Sequence, residues 1–113
     1  MGRRGFLLSA CFLWAVVPFA RSRTAGGTHN RISRFTANGD VAAAGSEITI
    51  VDLPTLSGAQ NHNGGAIHFG NDGKLYVGVG ENNTPSRSQD LADPFGKLLR
   101  FNDDGNAPTD NPF

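Results

Sequence analysis

The sequence has only one cysteine, Cys11, in 113 residues. A single cysteine excludes an internal disulfide and any zinc site built on several cysteines. Long runs of helix-forming residues are also scarce, whereas fifteen glycines and many asparagine and aspartate residues are present. This composition favours short strands joined by turns, and the length allows one small domain at most.

Acidic residues are absent before Asp40, although ten Asp and Glu residues balance ten Lys and Arg residues over the whole chain. The arginines of the first part do not form a basic stripe interleaved with aromatic residues, which nucleic-acid-binding surfaces usually have. We therefore expect no nucleic-acid partner.

The first 25 residues have the pattern of a secretory signal peptide. Arg3 and Arg4 precede an apolar run over residues 6–19, and small residues follow at Ala20 and Ala25. The run has about 14 residues, whereas a membrane-spanning helix needs roughly 20. The pattern predicts a helical signal segment over 1–25 and a domain over 26–113. The protein would be periplasmic or secreted, without stable membrane insertion after cleavage.

The export route stays open at this point. Residues 3–8, with the sequence RRGFLL, resemble a twin-arginine signal, which carries folded proteins across the membrane. Residues 8–11 resemble a bacterial lipobox, but most of the apolar run follows Cys11, whereas a lipobox closes such a run.

A short pattern, a basic residue followed by Phe and then by Asn-Gly or Asp-Gly, occurs three times. The copies begin at Arg34, His68 and Arg100, roughly 33 residues apart. Asn-Gly and Asp-Gly predict hairpins with type I′ turns, in which both central residues have positive φ. We expect the phenylalanine of each copy to pack into a core. Repeated short strands at this interval predict blades of a β-propeller; the alternative is three unrelated hairpins in a small sandwich.

Strand patterns surround these turns. They cover residues 31–36, 47–53, 66–70, 74–80 and 97–102. A closed propeller needs about four to eight blades, and the residues after the signal supply two to three. The fold class predicted is therefore all-β, a partial propeller preceded by the signal segment.

One predicted hairpin has a histidine at its start and a carboxylate at its end. His62 precedes the strand 66–70, and Glu81 follows the strand 74–80, so both lie at the open end of the hairpin. A histidine is suited to general-base catalysis, and a nearby carboxylate orients its imidazole. The alternatives are a loop histidine bound to backbone and a solvated loop carboxylate.

This segment resembles the soluble quinone-dependent glucose/sorbosone dehydrogenases, also called aldose sugar dehydrogenases. Their motif places His, Gly, a Phe-Gly-x-Asp-Gly-Lys-Leu-Tyr run and a Gly-acidic pair in the order seen here at His62, Gly65, 69–76 and 80–81. A second block over 96–112 is similar to the family's Gly-Lys-x-Leu-Arg and Asp-Asn-Pro motifs.

The resemblance implies a six-bladed propeller that binds pyrroloquinoline quinone (PQQ) and oxidises a sugar or an aldehyde. His62 would contact the cofactor and take the proton of the sugar C1 hydroxyl, Glu81 would support His62, and Asn61 would contact the sugar. The family's calcium ligands and cationic quinone clamp match no residues here. We therefore expect this chain to be inactive alone, and whether it is an enzyme stays open. The alternative is a non-catalytic propeller fragment or an extracellular module that binds carbohydrate or protein.

Three weaker patterns carry no prediction of a site. His62 and His68 lack a third metal ligand, and no metal site is predicted. Residues 102–106 faintly resemble a calcium loop but fit a hairpin turn better. Asn82-Asn83-Thr84 is a glycosylation sequon, which counts for little in a bacterial protein.

Overall fold

The computed structural model describes residues 27–113 and the backbone of Phe12–Val17. Almost all regular structure in this part of the chain is β. The strands are β1 (Phe12–Val17), β2 (His29–Asn38), β3 (Val41–Ala42), β4 (Ile48–Thr55), β5 (Gly64–Phe69), β6 (Leu75–Val79) and β7 (Lys97–Phe101). A short 3-10 helix, Pro85–Gln89, lies between β6 and β7. Within the described residues, no helix has the length and apolarity to cross a bilayer.

The first sheet is four-stranded and is centred on β2. β2 pairs antiparallel with β1, β3 and β4. Residues 31–34 pair with both β1 and β4, so β2 lies between these two strands. Register shifts within the β2–β4 ladder mark bulges, which increase local twist.

The second sheet is three-stranded, with β6 between β5 and β7 and all neighbours antiparallel. The predicted alternation of β6 is confirmed: Leu75, Val77 and Val79 are buried, whereas Tyr76 and Gly78 are half-buried. This alternation follows from the pleat, which points successive side chains to opposite faces.

The hydrophobic core lies between the two sheets. It consists of buried residues of β2, β4 and β6 together with the loop residue before β7: Ile32, Leu53, Leu75, Val77, Val79 and Phe95. Arg87 lies over the Phe95 ring at 3.7 Å from its centroid and forms a two-bond ion pair with Asp93. The loop between β6 and β7 is therefore held onto the core beside the open end of the hairpin.

The helical conformation predicted for the signal segment is wrong for Phe12–Val17, which form strand β1 along β2. The physical reason is the local sequence, FLWAVV, which is rich in aromatic and β-branched residues that favour strands. The edge of β2 offers free backbone groups to such a segment. The rest of the predicted signal peptide, residues 1–11 and 18–25, lies outside the described residues.

The predicted type I′ turns are also corrected. In the β5–β6 hairpin only Gly73 has positive φ, at 75°, and Gly73 N–H donates to Gly70 O at 3.0 Å. The turn is therefore a type I turn followed by a left-handed glycine, because the connection is longer than two residues. Residues 102–106 repeat this arrangement, with Gly105 at φ 88°.

The repeated phenylalanines are not all in the core. Phe101 is half-buried and packs against the core cluster, whereas Phe69 is 36% exposed. Phe69 and Phe101 pair with Leu75 from the two sides of β6. Both lie on edge strands of this sheet, but only Phe101 packs against the core between the sheets.

Several residues of the second sequence block, residues 96–112, form a charged cluster around Arg100 on β7. Its guanidinium donates to Asp72 Oδ2 at 3.0 Å, to Asp110 Oδ1 at 2.8 Å and to Asn111 Oδ1 at 2.9 Å. The carboxylates of Asp110 and Asp72 raise the pKa of Arg100 above its ordinary value. The cluster ties the C-terminal turn to the β5–β6 hairpin, so Arg100, Asp110 and Asn111 of this block have a structural role.

Candidate active site

The hairpin brings His62 and Glu81 into direct contact. β5 and β6 are in register at Gly64 and Val79, which places the two flanking residues at the same end. His62 Nδ1 and Glu81 Oε1 form a short hydrogen bond. The predicted pairing of a histidine with a carboxylate at the open end of this hairpin is thus present in the structure.

The Glu81 carboxylate is fixed on its other side. Its Oε2 accepts a hydrogen bond from the Thr84 backbone N–H at 2.5 Å. The Glu81 side chain is 19% exposed and the His62 side chain 54% exposed. A carboxylate on Nδ1 selects the Nδ1–H tautomer, so the Nε2 lone pair is available to a substrate proton. This is the arrangement that a general base requires.

The backbone of His62 has an uncommon conformation, with φ at 54°. Such a conformation is costly for a residue with a Cβ and needs support from its surroundings. Gly80 gives part of that support, because its N–H donates to Asn63 O at 3.2 Å. A Cβ at Gly80 would lie 2.1 Å from His62 O. Only glycine lets the end of β6 approach the His62 backbone this closely.

Asn82 is a residue that the sequence analysis noted only as a sequon. Its side chain is completely buried, and it forms hydrogen bonds with the loop 57–63 that carries His62. A fully buried amide is inaccessible to glycosylation in the folded chain. Its position directly after Glu81 was the one sequence signal that could have indicated a role beside the site.

Asn61, the predicted sugar contact, precedes His62 and is exposed. Its backbone O accepts a hydrogen bond from Asn82 Nδ2 at 3.2 Å. His68 lies on β5 opposite Tyr76, nearer the turn, with Nδ1 at 2.5 Å from Phe69 O. The described residues include no group of three or more metal-ligating side chains.

A shallow cleft of about 650 Å³ lies beside the pair. Its lining consists of His62 and Glu81, small residues of the hairpin, and the start of β7: Gly64, Ala66, Gly78, Val79, Gly80, Gly96 and Lys97. The small lining residues leave room for a flat ring system against the backbone. Lys97 supplies one cation, whose Nζ donates to Arg87 O and Phe95 O, both at 2.9 Å. Lys97 therefore places one positive charge at the edge of the cleft.

Comparison with solved structures gives the class of the fold. The chain superimposes on an oxidoreductase (glucose dehydrogenase) of Thermus thermophilus with a TM-score of 0.71 and 31% identity, over 90% of this chain and 28% of that one. The PQQ-bound aldose sugar dehydrogenase of Streptomyces coelicolor gives a TM-score of 0.64 and 36% identity, over 74% and 25%. The two sheets are therefore part of a β-propeller of the sugar-dehydrogenase class.

Sequence comparison gives the family. Residues 13–113 match the model of the glucose/sorbosone dehydrogenase family, and the chain belongs to that family. Aldose sugar dehydrogenase YliI of Escherichia coli K12 is 46% identical over 61 residues, which are 54% of this chain and 16% of YliI. The chain thus spans about a sixth of this curated relative and about a quarter of the solved structures.

Proposed function

We propose that this chain is a segment of an exported, PQQ-dependent dehydrogenase of sugars or aldehydes, with His62 as the general base. The observation that carries the proposal is the His62–Glu81 hydrogen bond in a family member, with the histidine ring at the cleft. The PQQ-bound relative from S. coelicolor supports the choice of cofactor.

In the proposed reaction the sugar C1–H and O1–H bonds break and a C1=O double bond forms. When bound, PQQ would supply the two-electron acceptor for the hydride that leaves C1. His62 Nε2 accepts the hydroxyl proton, and Glu81 stabilises the resulting imidazolium through Nδ1–H. In the proposal, the exposed Asn61 beside His62 donates to a sugar hydroxyl.

The chain holds only part of such a site. PQQ carries several carboxylates, and Lys97 is the cation that lines the cleft described above. In the proposal, further cations and the calcium ligands come from blades outside this sequence. We therefore expect no turnover from this chain alone, even with PQQ and calcium added.

A chimera tests the catalytic role directly. Residues 27–113 of this chain replace the corresponding segment of YliI, and dye-linked glucose oxidation is measured with added PQQ and calcium. His62→Ala is expected to lower kcat at least about 10²-fold. His68→Ala is the matched control, because His68 lies away from the cleft. Equal turnover of the His62→Ala chimera and its parent would refute the role of His62.

The same chimera separates the alternative function, a non-catalytic propeller segment that binds carbohydrate or protein. A well-folded chimera that binds sugar but does not reduce the dye would support that alternative. Export is part of the proposal and is tested separately, by the mature N-terminus described in the Discussion.

A further inference from the structure

Asn82 forms an unusually complete set of hydrogen bonds at the base of the candidate site. Its Oδ1 accepts from Ser57 N–H at 2.7 Å and from Ser57 Oγ–H at 2.8 Å. Its Nδ2 donates to Ala59 O at 3.1 Å and Asn61 O at 3.2 Å. The Asn63 Oδ1 atom lies slightly farther, at 3.3 Å. The buried amide is therefore fully satisfied by the loop that contains His62.

The backbone of Asn82 completes this connection. Its N–H donates to His62 O at 2.8 Å, and its own carbonyl lies 3.1 Å from Ser57 Oγ, whose single proton it shares with Asn82 Oδ1. Asn82 thus bonds the residues before and after His62 as well as His62 itself. Because Glu81 is its neighbour in the chain, the positions of the carboxylate and the histidine are fixed by the same residue.

Both His62 and Asn82 have positive φ, at 54° and 50°. Each conformation is costly without supporting contacts, and asparagine tolerates this region better than most residues. Asp at this position would direct a carboxylate oxygen at the carbonyls of Ala59 and Asn61. An Asp side chain therefore has the right size but the wrong hydrogen-bonding groups.

We infer that Asn82 is a positioning residue, which holds the His62 imidazole against Glu81 in the Nδ1–H tautomer. The inference rests on the proposed function, because the tautomer matters only if Nε2 accepts a proton from substrate. Asn82 itself does not touch substrate, since its side chain is buried beneath the loop.

The test measures the tautomer of His62 by long-range 1H–15N NMR of the histidine rings, on the chain itself and without turnover. Asn82→Asp is compared with Asn83→Asp, which adds the same charge at an adjacent, exposed residue with φ 57°. We expect the parent and Asn83→Asp to show the Nδ1–H form. We expect Asn82→Asp to lower the ratio of Nδ1–H to Nε2–H about tenfold or more, the effect of losing a hydrogen bond to a charged group.

Ser57→Ala gives a milder second variant if Asn82→Asp does not fold. It removes the one hydroxyl proton that Asn82 Oδ1 and O share but keeps the bond from Ser57 N–H to Oδ1, and we expect a smaller fall in the same ratio. A folded Asn82→Asp with the parental ratio would overturn the inference. An unfolded Asn82→Asp together with a parental ratio in Ser57→Ala would overturn it as well.

The outcomes are distinct from failure of the proposed function. If His62→Ala does not change the turnover of the chimera, the role of the histidine as a base is refuted, but the NMR ratio of the two tautomers is unaffected. An unchanged NMR ratio refutes the role of Asn82 even if the chimera oxidises glucose.

Discussion

Gly80→Ala is expected to disrupt the site although it adds only one methyl group. A Cβ at Gly80 would lie 2.1 Å from His62 O and 2.4 Å from His62 C, both backbone atoms. Ordinary contacts are about 3.5–4.0 Å, so one of the two chain segments must move by more than about 1 Å. A flexible side chain could yield at little cost, but a backbone carbonyl in a hydrogen-bonded loop cannot.

The expected loss of stability can be worked out from the hydrogen bonds that the shift affects. Such a shift strains or breaks two backbone hydrogen bonds. One runs from Gly80 N–H to Asn63 O at 3.2 Å, and the other from Asn82 N–H to His62 O at 2.8 Å. Each bond contributes roughly 0.5–1.5 kcal/mol net, so losing both lowers the free energy of unfolding by about 2 kcal/mol. In a domain of this size that corresponds to a fall of roughly 8–16 °C in Tm.

Gly78→Ala is the matched control, two residues earlier on the same strand. A Cβ there would meet the nearest atom, Ala66 Cβ, at 3.6 Å, which is an ordinary contact. Neither glycine has the positive φ that would disfavour alanine. We expect Gly78→Ala to leave Tm unchanged or slightly raised, because alanine reduces the entropy of the unfolded chain.

The assay is thermal unfolding of the two variants and the parent by circular dichroism at one low protein concentration. Loss of the His62–Glu81 contact is followed in parallel by the His62 ring resonances. Equal Tm values for Gly80→Ala and Gly78→Ala would refute the argument that backbone contact, and not strand propensity, requires glycine at position 80.

Three further predictions concern the rest of the chain. The Lys74 N–H, the Tyr76 hydroxyl and Arg100 lower the pKa of Asp72 to about 2, so its stabilising effect is present above about pH 4 and is lost toward about pH 2. Asp72→Asn should make the decrease in Tm between about pH 4 and pH 2 smaller, whereas Asp103→Asn should leave it unchanged; the same decrease in both variants would contradict this. Leu98 on β7 is 70% exposed, so the chain alone should self-associate at high concentration, and Leu98→Lys should reduce this in sedimentation experiments; equal sedimentation of this variant and the parent would contradict the prediction. Export should leave a mature N-terminus after Ala20 or Ala25 by mass spectrometry, and recovery of residues 1–25 on exported protein would exclude a cleaved signal.

The last of these predictions has a structural consequence. Cleavage after Ala20 or Ala25 would remove Phe12–Val17 and leave one edge of β2 without its partner. The family match begins at residue 13, inside the apolar run. The predicted signal peptide and strand β1 therefore share the same residues. The mature N-terminus would show whether the exported protein keeps β1.

Local chemistry made much of the fold predictable. Alternation of apolar and polar residues located β6 and the strands around it, because side chains of a strand point to opposite faces. The order of His62, the turn at residues 71–73 and Glu81 predicted that the histidine and the carboxylate lie at one end of the hairpin, since a hairpin returns the chain to its starting end. Their direct contact was visible only in the structure. The turn type was not predictable from Asp-Gly alone, because it depends on the length of the connection.

Tertiary structure decided what holds the site in place. The roles of Gly80 and Asn82 depend on contacts with the loop 57–63, which is distant in sequence from both, and no local pattern encodes such contacts. The conformation of Phe12–Val17 was also set by a partner: the same apolar residues suit a helix in a signal peptide and a strand beside β2. By itself, the sequence determined the family motifs and the placement of His62 and Glu81 at the same end of one hairpin. The tertiary structure determined their direct contact and the hydrogen bonds that hold it, because burial and long-range hydrogen bonds exist only in the folded chain.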